Sequence, residues 1–211
     1  MPIDTQDRLL NAAEKLFAEH GISETSLRAI TTEAQANLAA VNYHFHSKEG
    51  LIKAVFARRL EPINQQRLDL LTVAEQQAAP NPPPLEEIIT AFLGPALRLS
   101  IHPEHGGPHF MRLIGRLFSE PSEFKMVIHE QFEEVRRRFF AAFQAVLPNL
   151  GPEELFWRFH FMVGAMAHTA AAGEILEHIS GGHCDQSDPE ATLRRMTAFV
   201  AAGFKADLPA A

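Results

Sequence analysis

Residues 37–51, NLAAVNYHFHSKEGL, combine the apolar spacing of a helix with Asn, Tyr and His side chains and a Lys-Glu pair. Val41 and Phe45 are four residues apart, so they would lie on one face of a short helix. Asn37 can cap the start of that helix, and Ser47 can cap the start of the next one. Three interpretations follow: an ordinary amphipathic helix with a turn, a histidine metal site, or a surface that meets a partner.

Outward from this stretch the apolar periodicity is helical along the whole chain, and no strand pattern is convincing. We predict an all-α protein of about nine helices, with three short ones at the front. Before residue 37, one helix ends at Gly21 and a second begins after Thr25 or Ser26. After residue 47, the fourth predicted helix follows the Ser47 cap, has a kink at Pro62 and keeps its apolar spacing as far as Leu71, before a proline-stiffened loop at 78–84. The later predicted helices cover 85–101 with a kink near Pro95, 108–119, 122–147, 152–179 and 189–205.

The composition places this chain of 211 residues among folded proteins, since 46% of the residues are apolar. The single cysteine, Cys184, excludes an internal disulfide framework and fits a reducing compartment. The sequence shows neither a signal segment nor an uncharged apolar run of membrane-spanning length. We therefore expect a cytoplasmic protein with no membrane partner.

The net charge of −7 argues against indiscriminate binding to nucleic acid, but the charges are unevenly distributed. Between Thr25 and Leu60, five basic side chains stand against two acidic ones, a local excess of three. A locally positive face on an acidic body suits a polyanion. A chance fluctuation among solvated charges explains the same count equally well.

The second and third predicted helices, joined by the turn 35–37, have the dimensions of a helix-turn-helix, whose second helix enters the DNA major groove. With Val41 and Phe45 facing the core, the outward positions are Ala39, Ala40, Asn42, Tyr43 and His44. Asn can form two hydrogen bonds to adenine, Ala can contact a thymine methyl group, and Tyr and His suit phosphate oxygens.

Lys48 lies in the first turn of the fourth predicted helix, where a cation opposes the helix dipole by about 0.3–1 kcal/mol. A phosphate bound at that helix N-terminus would make the same position favourable. The alternative is a solvated lysine that tolerates a small penalty.

Residues 11–56, NAAEKLFAEHGISETSLRAITTEAQANLAAVNYHFHSKEGLIKAVF, resemble the DNA-binding domain of TetR-family transcriptional regulators, and the match extends over about residues 6–58. The family pattern runs from AA..LF...G...T....I...A to Y.HF.SKE.L. The matching positions are Ala12, Ala13, Leu16, Phe17, Gly21, Thr25, Ile30, Ala34, His44, Phe45, Ser47, Lys48, Glu49 and Leu51. VNYHFHSKE is most similar to a subgroup that includes fatty-acid-responsive regulators.

The resemblance implies a homodimeric regulator, a repressor rather than an activator, that binds double-stranded operator DNA and responds to a small hydrophobic effector. The subgroup implies an acyl chain or acyl-CoA as that effector. The implied DNA contacts come from Ser26 and Arg28 in the second helix, Leu38, Ala39, Ala40, Asn42 and Tyr43 in the groove, and His44 and Lys48 at phosphates.

Two positions depart from the family pattern. Gln35 replaces the usual turn glycine, and a positive φ there would cost about 1 kcal/mol. Asn42 stands where the family has a phosphate-contacting tyrosine, and Tyr43 follows about 100° further round the helix. Whether Asn42 or Tyr43 reads a base is therefore open.

The remaining chain is predicted to form a dimer interface and an effector pocket. Small residues allow close helix approach in 152–179 and 189–205, and the candidate interface residues are Gly164, Ala165, His168, Ala172, Met196, Phe199 and Val200. The candidate pocket residues are aromatic or Met: Phe92, Phe110, Met111, Phe118, Phe132, Phe139, Phe159, Met162 and Met166. Packing within one chain is the alternative for both sets.

No motif indicates catalysis, a cofactor or a metal. His102, His105 and His109 fall on a Pro- and Gly-containing loop that does not have the spacing of metal ligands. The pair His44 and His46 is not accompanied by a second metal-binding motif.

We predict a helix-turn-helix DNA-binding domain over 1–47 and a helical effector-binding and dimerisation domain over 48–211. The alternative function is an all-α enzyme or carrier of a hydrophobic metabolite that binds no operator.

Overall fold

The computed structural model describes residues 4–102, 106–117, 119–171, 173–185 and 187–207. In these ranges it contains eleven α-helices and no strand, which confirms the predicted all-α class. The helices are α1 (Thr5–His20), α2 (Leu27–Glu33), α3 (Leu38–Phe45), α4 (Lys48–Ala78), α5 (Leu85–Ser100), α6 (Gly107–Leu117), α7 (Ser122–His129), α8 (Glu133–Val146), α9 (Pro152–Ala171), α10 (Gly173–Ile179) and α11 (Pro189–Lys205).

Two of the predicted helices are each divided in the structure. The single helix expected over 122–147 is corrected to α7, a 3-10 turn at Glu130–Phe132, and α8. A short 3-10 turn keeps apolar side chains at three-residue spacing, so the apolar stripe runs through it without a visible break. The helix expected over 152–179 is observed as α9 and α10, and Ala172 between them lies outside the described residues.

Both prolines expected within helices are found there, Pro62 in α4 and Pro95 in α5. The chain forms two compact units. The first contains the residues up to 62 and the segment ending at 133, and the second contains 63–102 and 134 onward. The predicted functional division into 1–47 and 48–211 stays a prediction.

The core of the first unit forms where α1, α2 and α3 pack together with the start of α4 and with α6. Phe17, Val41 and Phe56 are fully buried, and the ring centroid of Phe56 lies 6.0 Å from that of Phe110. Phe45 is only 5% exposed, so Val41 and Phe45 hold α3 against this core as predicted. α6 therefore contributes to the unit that carries the helix-turn-helix.

The second unit has its own apolar core, formed by α5, α8, α9, α11 and the later part of α4. Phe92 lies near its centre, with ring centroids 5.2 Å from Phe139 and 5.0 Å from Phe159. Phe143 stacks on Phe204 at 4.8 Å, which joins α8 to α11. Edge-to-face and stacked contacts of this kind add to the stability that area burial alone supplies.

Candidate nucleic-acid interface

Helix α3 begins with the cap that the sequence predicts. The side chain of Asn37 accepts a hydrogen bond from the backbone N–H of Ala40 at 2.9 Å. This bond satisfies one of the backbone donors that an uncapped helix leaves without a partner. Ser47 does the same for α4, because its hydroxyl oxygen accepts from the N–H of Gly50 at 3.0 Å.

The outer face of α3 presents side chains suited to a DNA groove. Tyr43 is 79% exposed and Leu38 is 45% exposed. Ala39 and Asn42 are also exposed, whereas Ala40 and His44 are half-buried. The predicted groove residues therefore occupy the solvent side of a helix whose opposite side is anchored in the core.

The start of α2 carries the other two predicted contacts from this motif. Ser26, rather than Thr25, is the N-cap, and its side chain accepts from the N–H of Ala29 at 3.1 Å. Its hydroxyl keeps a hydrogen that can be donated to a phosphate oxygen. Arg28 is exposed, and no carboxylate of the described residues forms an ion pair with it.

In the turn between α2 and α3, residue 35 has the positive φ that the family's usual glycine at this position indicates. Gln35 has φ 51°, a conformation that costs a side-chain-bearing residue about 1–2 kcal/mol. Its carbonyl oxygen accepts a hydrogen bond from Nη1 of Arg8 at 3.3 Å. His46, just after α3, also has a positive φ, 65°.

An open groove of about 680 Å³ runs beside α3, and the start of α1 forms part of its lining. Its lining comprises Asp4, Thr5, Arg8, Gln35, Ala36, Asn37, Ala39, Ala40, Tyr43 and His44. Arg8 and Gln35 were not among the predicted site residues, because neither belongs to a contact motif. The proximity of Arg8 to Tyr43 depends on how α1 packs against α3, whereas Gln35 lies in the turn that leads into α3.

Lys48 has an internal partner that the sequence did not reveal. Its ammonium group donates a hydrogen bond to the carbonyl oxygen of Ile22 at 2.7 Å. Burial lowers the pKa of Lys48, and the carboxylates of Glu120 and Glu24 act in the opposite direction. The bond to Ile22 explains the cation at this helix start better than free solvation does. The phosphate contact of Lys48 stays a prediction. The ammonium N–H groups that do not bond to Ile22 can donate to a phosphate oxygen.

Glu120, which the sequence did not single out, fixes the turn between α1 and α2. Its carboxylate accepts from the N–H of Ile22 at 2.7 Å, from the N–H of Ser23 at 3.2 Å and from the hydroxyl of Ser23 at 2.6 Å. These three hydrogen bonds hold the residues that lead into α2, and thus position the first helix of the motif.

Replacing Glu120 with Ala removes one acceptor group from three donors, so we expect a loss of about 2 kcal/mol in the free energy of unfolding. Urea denaturation measures this change. Glu123→Ala is the matched control, because Glu123 is an exposed acid nearby, and we expect it to change stability by less than about 0.5 kcal/mol. Equal effects of the two substitutions would contradict the role given to Glu120.

The unpaired positive charge on the segment 25–60 is smaller than the sequence count suggests. Arg58 and Arg59 both form ion pairs with the buried carboxylate of Glu14. Lys53 pairs with Glu130 at 2.9 Å. Of the five cations between residues 25 and 60, Arg28 and Lys48 are therefore the two without an ion pair among the described residues.

The predicted pocket residues divide between the two units. Phe92, Phe139 and Met162 are buried in the core of the second unit, and Phe159 and Met166 pack against it. The remaining described members, Phe110, Met111 and Phe132, belong to the first unit, so we leave them out of the proposed pocket. Phe118 lies outside the described residues.

The predicted interface residues include both exposed and buried side chains. Phe199 is 73% exposed, Gly164 and His168 are exposed, and Ala165 is half-buried. Met196 and Val200 are buried in the core of their own chain, so we leave them out of the proposed contact face. Ala172 lies outside the described residues.

Larger apolar side chains near these positions were missed by the sequence prediction. Trp157 is 50% exposed and Phe161 is 62% exposed on α9, and their rings stack at 5.7 Å. Ile175 and Ile179 on α10 are 64% and 72% exposed. The spacing of Trp157, Phe161, Gly164 and His168 repeats a helical stripe, a signal present in the sequence.

The described residues contain no group of three or more His, Cys, Asp or Glu side chains arranged to hold a metal ion. His105 of the predicted loop trio lies outside them. Within the same part of the chain, none of the helices has the length and hydrophobicity that crossing a lipid bilayer requires.

Two family descriptions match the chain. Residues 9–55 match bacterial regulatory proteins of the tetR family, and residues 90–203, more than half of the chain, match the tetracyclin repressor-like C-terminal domain. A probable HTH-type transcriptional regulator of Bacillus subtilis, YttP, is 38% identical over 53 residues, which are 25% of this chain and 26% of YttP. The chain thus matches about a quarter of the length of that relative.

Two solved structures share the fold over nearly the whole chain. The fatty acid degradation regulator FadR from Bacillus halodurans has a TM-score of 0.67 and 12% identity, covering 97% of this chain and 98% of FadR. FadR from Bacillus subtilis, solved in complex with stearoyl-CoA, has a TM-score of 0.62 and 12% identity, covering 93% and 97%. At these identities the likeness shows the fold alone.

Proposed function

This chain belongs to the TetR family of bacterial transcriptional regulators, and from that premise we propose that it represses transcription as a homodimer on a two-fold operator. The family is one of DNA-binding regulators and not of enzymes. The observation that carries the proposal is α3, which is capped by Asn37, anchored by Val41 and Phe45, and open to solvent at Tyr43.

In the proposed complex α3 lies in the major groove. Ala39, Ala40 and Leu38 contact base edges and methyl groups, and either Asn42 or Tyr43 reads a base. Ser26, Arg28, His44 and Lys48 bind phosphate oxygens, which fix the register of α3 on the duplex. Arg8 is added to this set because it lines the same groove as Tyr43.

The homodimer is proposed to form through the exposed apolar residues of α9, α10 and α11. The exposed fractions of Trp157, Phe161, Ile175, Ile179 and Phe199 in one chain are between 50% and 73%. Burial against a second copy would remove this apolar surface from water. A two-fold dimer places two copies of α3 on two half-sites, which matches a palindromic operator.

The effector is proposed to be a small hydrophobic molecule, an acyl chain or acyl-CoA, that binds in the second unit and lowers operator affinity. Support comes from the aromatic core around Phe92 and from FadR of Bacillus subtilis, a protein of similar fold solved with stearoyl-CoA. A ligand changes operator affinity only by as much as it distinguishes the bound and free conformations.

The test begins with selection of DNA sites by the purified protein, followed by titration of the selected site. Arg28→Ala should weaken operator binding about tenfold and reduce the slope of log affinity against log salt concentration by about 1, because one phosphate contact is lost. Arg137→Ala, which removes an exposed arginine in the second unit, is the control and should change neither quantity.

Equal loss of affinity in both variants would show that only total charge matters and would contradict the assigned interface. A wild-type protein that selects no DNA sequence would support the alternative function, a carrier or enzyme for a hydrophobic metabolite.

A further inference from the structure

Arg67, on α4, is a buried cation in the second unit. Its side chain is 2% exposed, although arginine is almost never fully buried without a partner of opposite charge. The neutral groups around it supply three hydrogen-bond acceptors. Nε donates to the carbonyl oxygen of Phe92 at 2.8 Å, Nη1 to Oδ1 of Asn64 at 3.0 Å, and Nη2 to the sulfur of Met166 at 3.7 Å.

The charge of Arg67 has no counterion among the described residues, since none of their carboxylates forms an ion pair with it. Burial lowers the pKa of the guanidinium to about 9, with no carboxylate acting in the opposite direction, so the group is still cationic at neutral pH. Burying a cation without a counterion is costly. An anion at this position would remove that cost.

Of the three acceptors around Arg67, the one that bonds to Nη2 is the weakest. A thioether sulfur is a weak acceptor, so the bond from Nη2 to Met166 is the easiest of the three to replace. The Met side chain is unbranched and flexible, so it can turn away without moving α9. Nη2 is therefore the position where an oxyanion would bind.

The surroundings beyond the charge are apolar and aromatic. The guanidinium carbon lies 4.2 Å from the centroid of the Phe92 ring, and that ring contacts Phe139 and Phe159. A molecule whose oxyanion meets Arg67 would thus place its other end against aromatic side chains. Pro95, three residues after Phe92, lacks the N–H of a helical hydrogen bond, which makes α5 easier to deform at this place.

We propose that Arg67 binds the oxyanion of an amphiphilic effector whose apolar part packs against Phe92, Phe139 and Phe159. The inference rests on the proposed control of this regulator by a small effector. It adds that the effector carries a negative charge, and that a neutral molecule of equal length is a poor ligand. The oxyanion can be the carboxylate of a free acid or a phosphate of a nucleotide thioester.

The experiment uses the full-length protein without DNA and measures ligand affinity by calorimetry and the melting temperature by fluorimetry. The probes share a dodecyl chain and are used below their micelle concentrations: dodecanoate, dodecanoyl-CoA, dodecanol and dodecyltrimethylammonium. We expect at least one of the two anions to raise the melting temperature and to bind about tenfold more tightly than dodecanol, since a charge-assisted hydrogen bond is gained.

The variant Arg67→Met replaces the cation with an apolar side chain of similar length. We expect the preference for the anion over dodecanol to fall to about one, because the charge that distinguishes the two probes is gone. Arg138→Met is the matched control, since Arg138 lies in the same unit and its charge is paired with Glu75 at 2.7 Å. It should keep the preference of the wild type.

The results separate the possibilities. Loss of dodecanoate binding in Arg67→Met assigns the site to a carboxylate, and loss of dodecanoyl-CoA binding assigns it to a phosphate. A wild-type protein that binds dodecanol as tightly as both anions, or binds none of the probes, overturns the inference even if Arg67→Met does not fold. Selection of operator DNA without any ligand tests the proposed function independently.

Discussion

Replacing Phe161 with Glu is expected to convert the protein to monomers and to weaken operator binding by about 100-fold. Phe161 is 62% exposed on α9 and stacks on Trp157, which is 50% exposed. In the proposed dimer both rings are buried against the second copy, so a carboxylate at this position would lose its water without gaining a counterion.

The large effect expected on DNA binding follows from the proposed two-fold operator. A dimer that holds one half-site presents its second α3 to the other half-site at a high effective concentration. A monomer loses this second binding event while each individual contact of α3 stays intact. Phe199→Glu should act in the same direction, because Phe199 is 73% exposed on α11.

Sedimentation velocity at micromolar concentration measures the dimer, and titration of the selected operator measures DNA affinity. Val73→Glu is the matched control: Val73 is an apolar residue on α4 that is 46% exposed and lies outside the proposed contact face. A Phe161→Glu protein that sediments as a dimer and binds DNA normally would refute this face. A wild type that is a stable monomer would refute the dimer itself.

The second large effect is expected at Gly50, in the first turn of α4. A Cβ built on Gly50 would overlap the backbone carbonyl oxygen of Phe45, the last residue of α3. Because that oxygen is backbone, relief requires α3 and α4 to separate at their junction. We expect Gly50→Ala to lower the free energy of unfolding by about 3 kcal/mol.

The control substitution for Gly50 is another helical glycine in open space. A Cβ built on Gly203, in α11, meets no described atom within 4 Å. Gly203→Ala should therefore raise the free energy of unfolding by about 0.5–1 kcal/mol, because alanine loses less backbone entropy in a helix. Urea denaturation distinguishes the opposite signs. Stabilisation by Gly50→Ala would show that the α3–α4 junction is looser than described.

Predictions that depended on local pattern agree with the structure. Gly21 ends α1, Ser26 and Asn37 cap the next two helices, and Val41 and Phe45 face the core. Each of these features is decided by groups within one helical turn of each other, so residue spacing reveals it. The division of the helix predicted over 122–147 was missed, because a single 3-10 turn barely disturbs that spacing.

The sequence count of charges was a poor guide to the free positive charge on the proposed DNA-binding face, since it could not identify ion-pair partners. Arg58 and Arg59 are 44 and 45 residues from Glu14, the acid that pairs with both. The same limit hid the fact that Met196 and Val200 point into their own chain while Phe199 points outward. Small and apolar residues on one helix do not say which side a partner covers.

The sequence by itself determined an all-α regulator with a recognition helix, because caps, apolar spacing and the family motif are all short-range features. Only the tertiary structure decided the partners of the charged groups. Lys48 meets the carbonyl of Ile22, 26 residues away, and Glu120 meets the N–H of the same residue from 98 residues away. Arg67 owes its isolation to helices that are distant in the chain. Hydrogen bonds and burial between distant segments follow from how the helices pack, and residue spacing along the chain carries no signal for them.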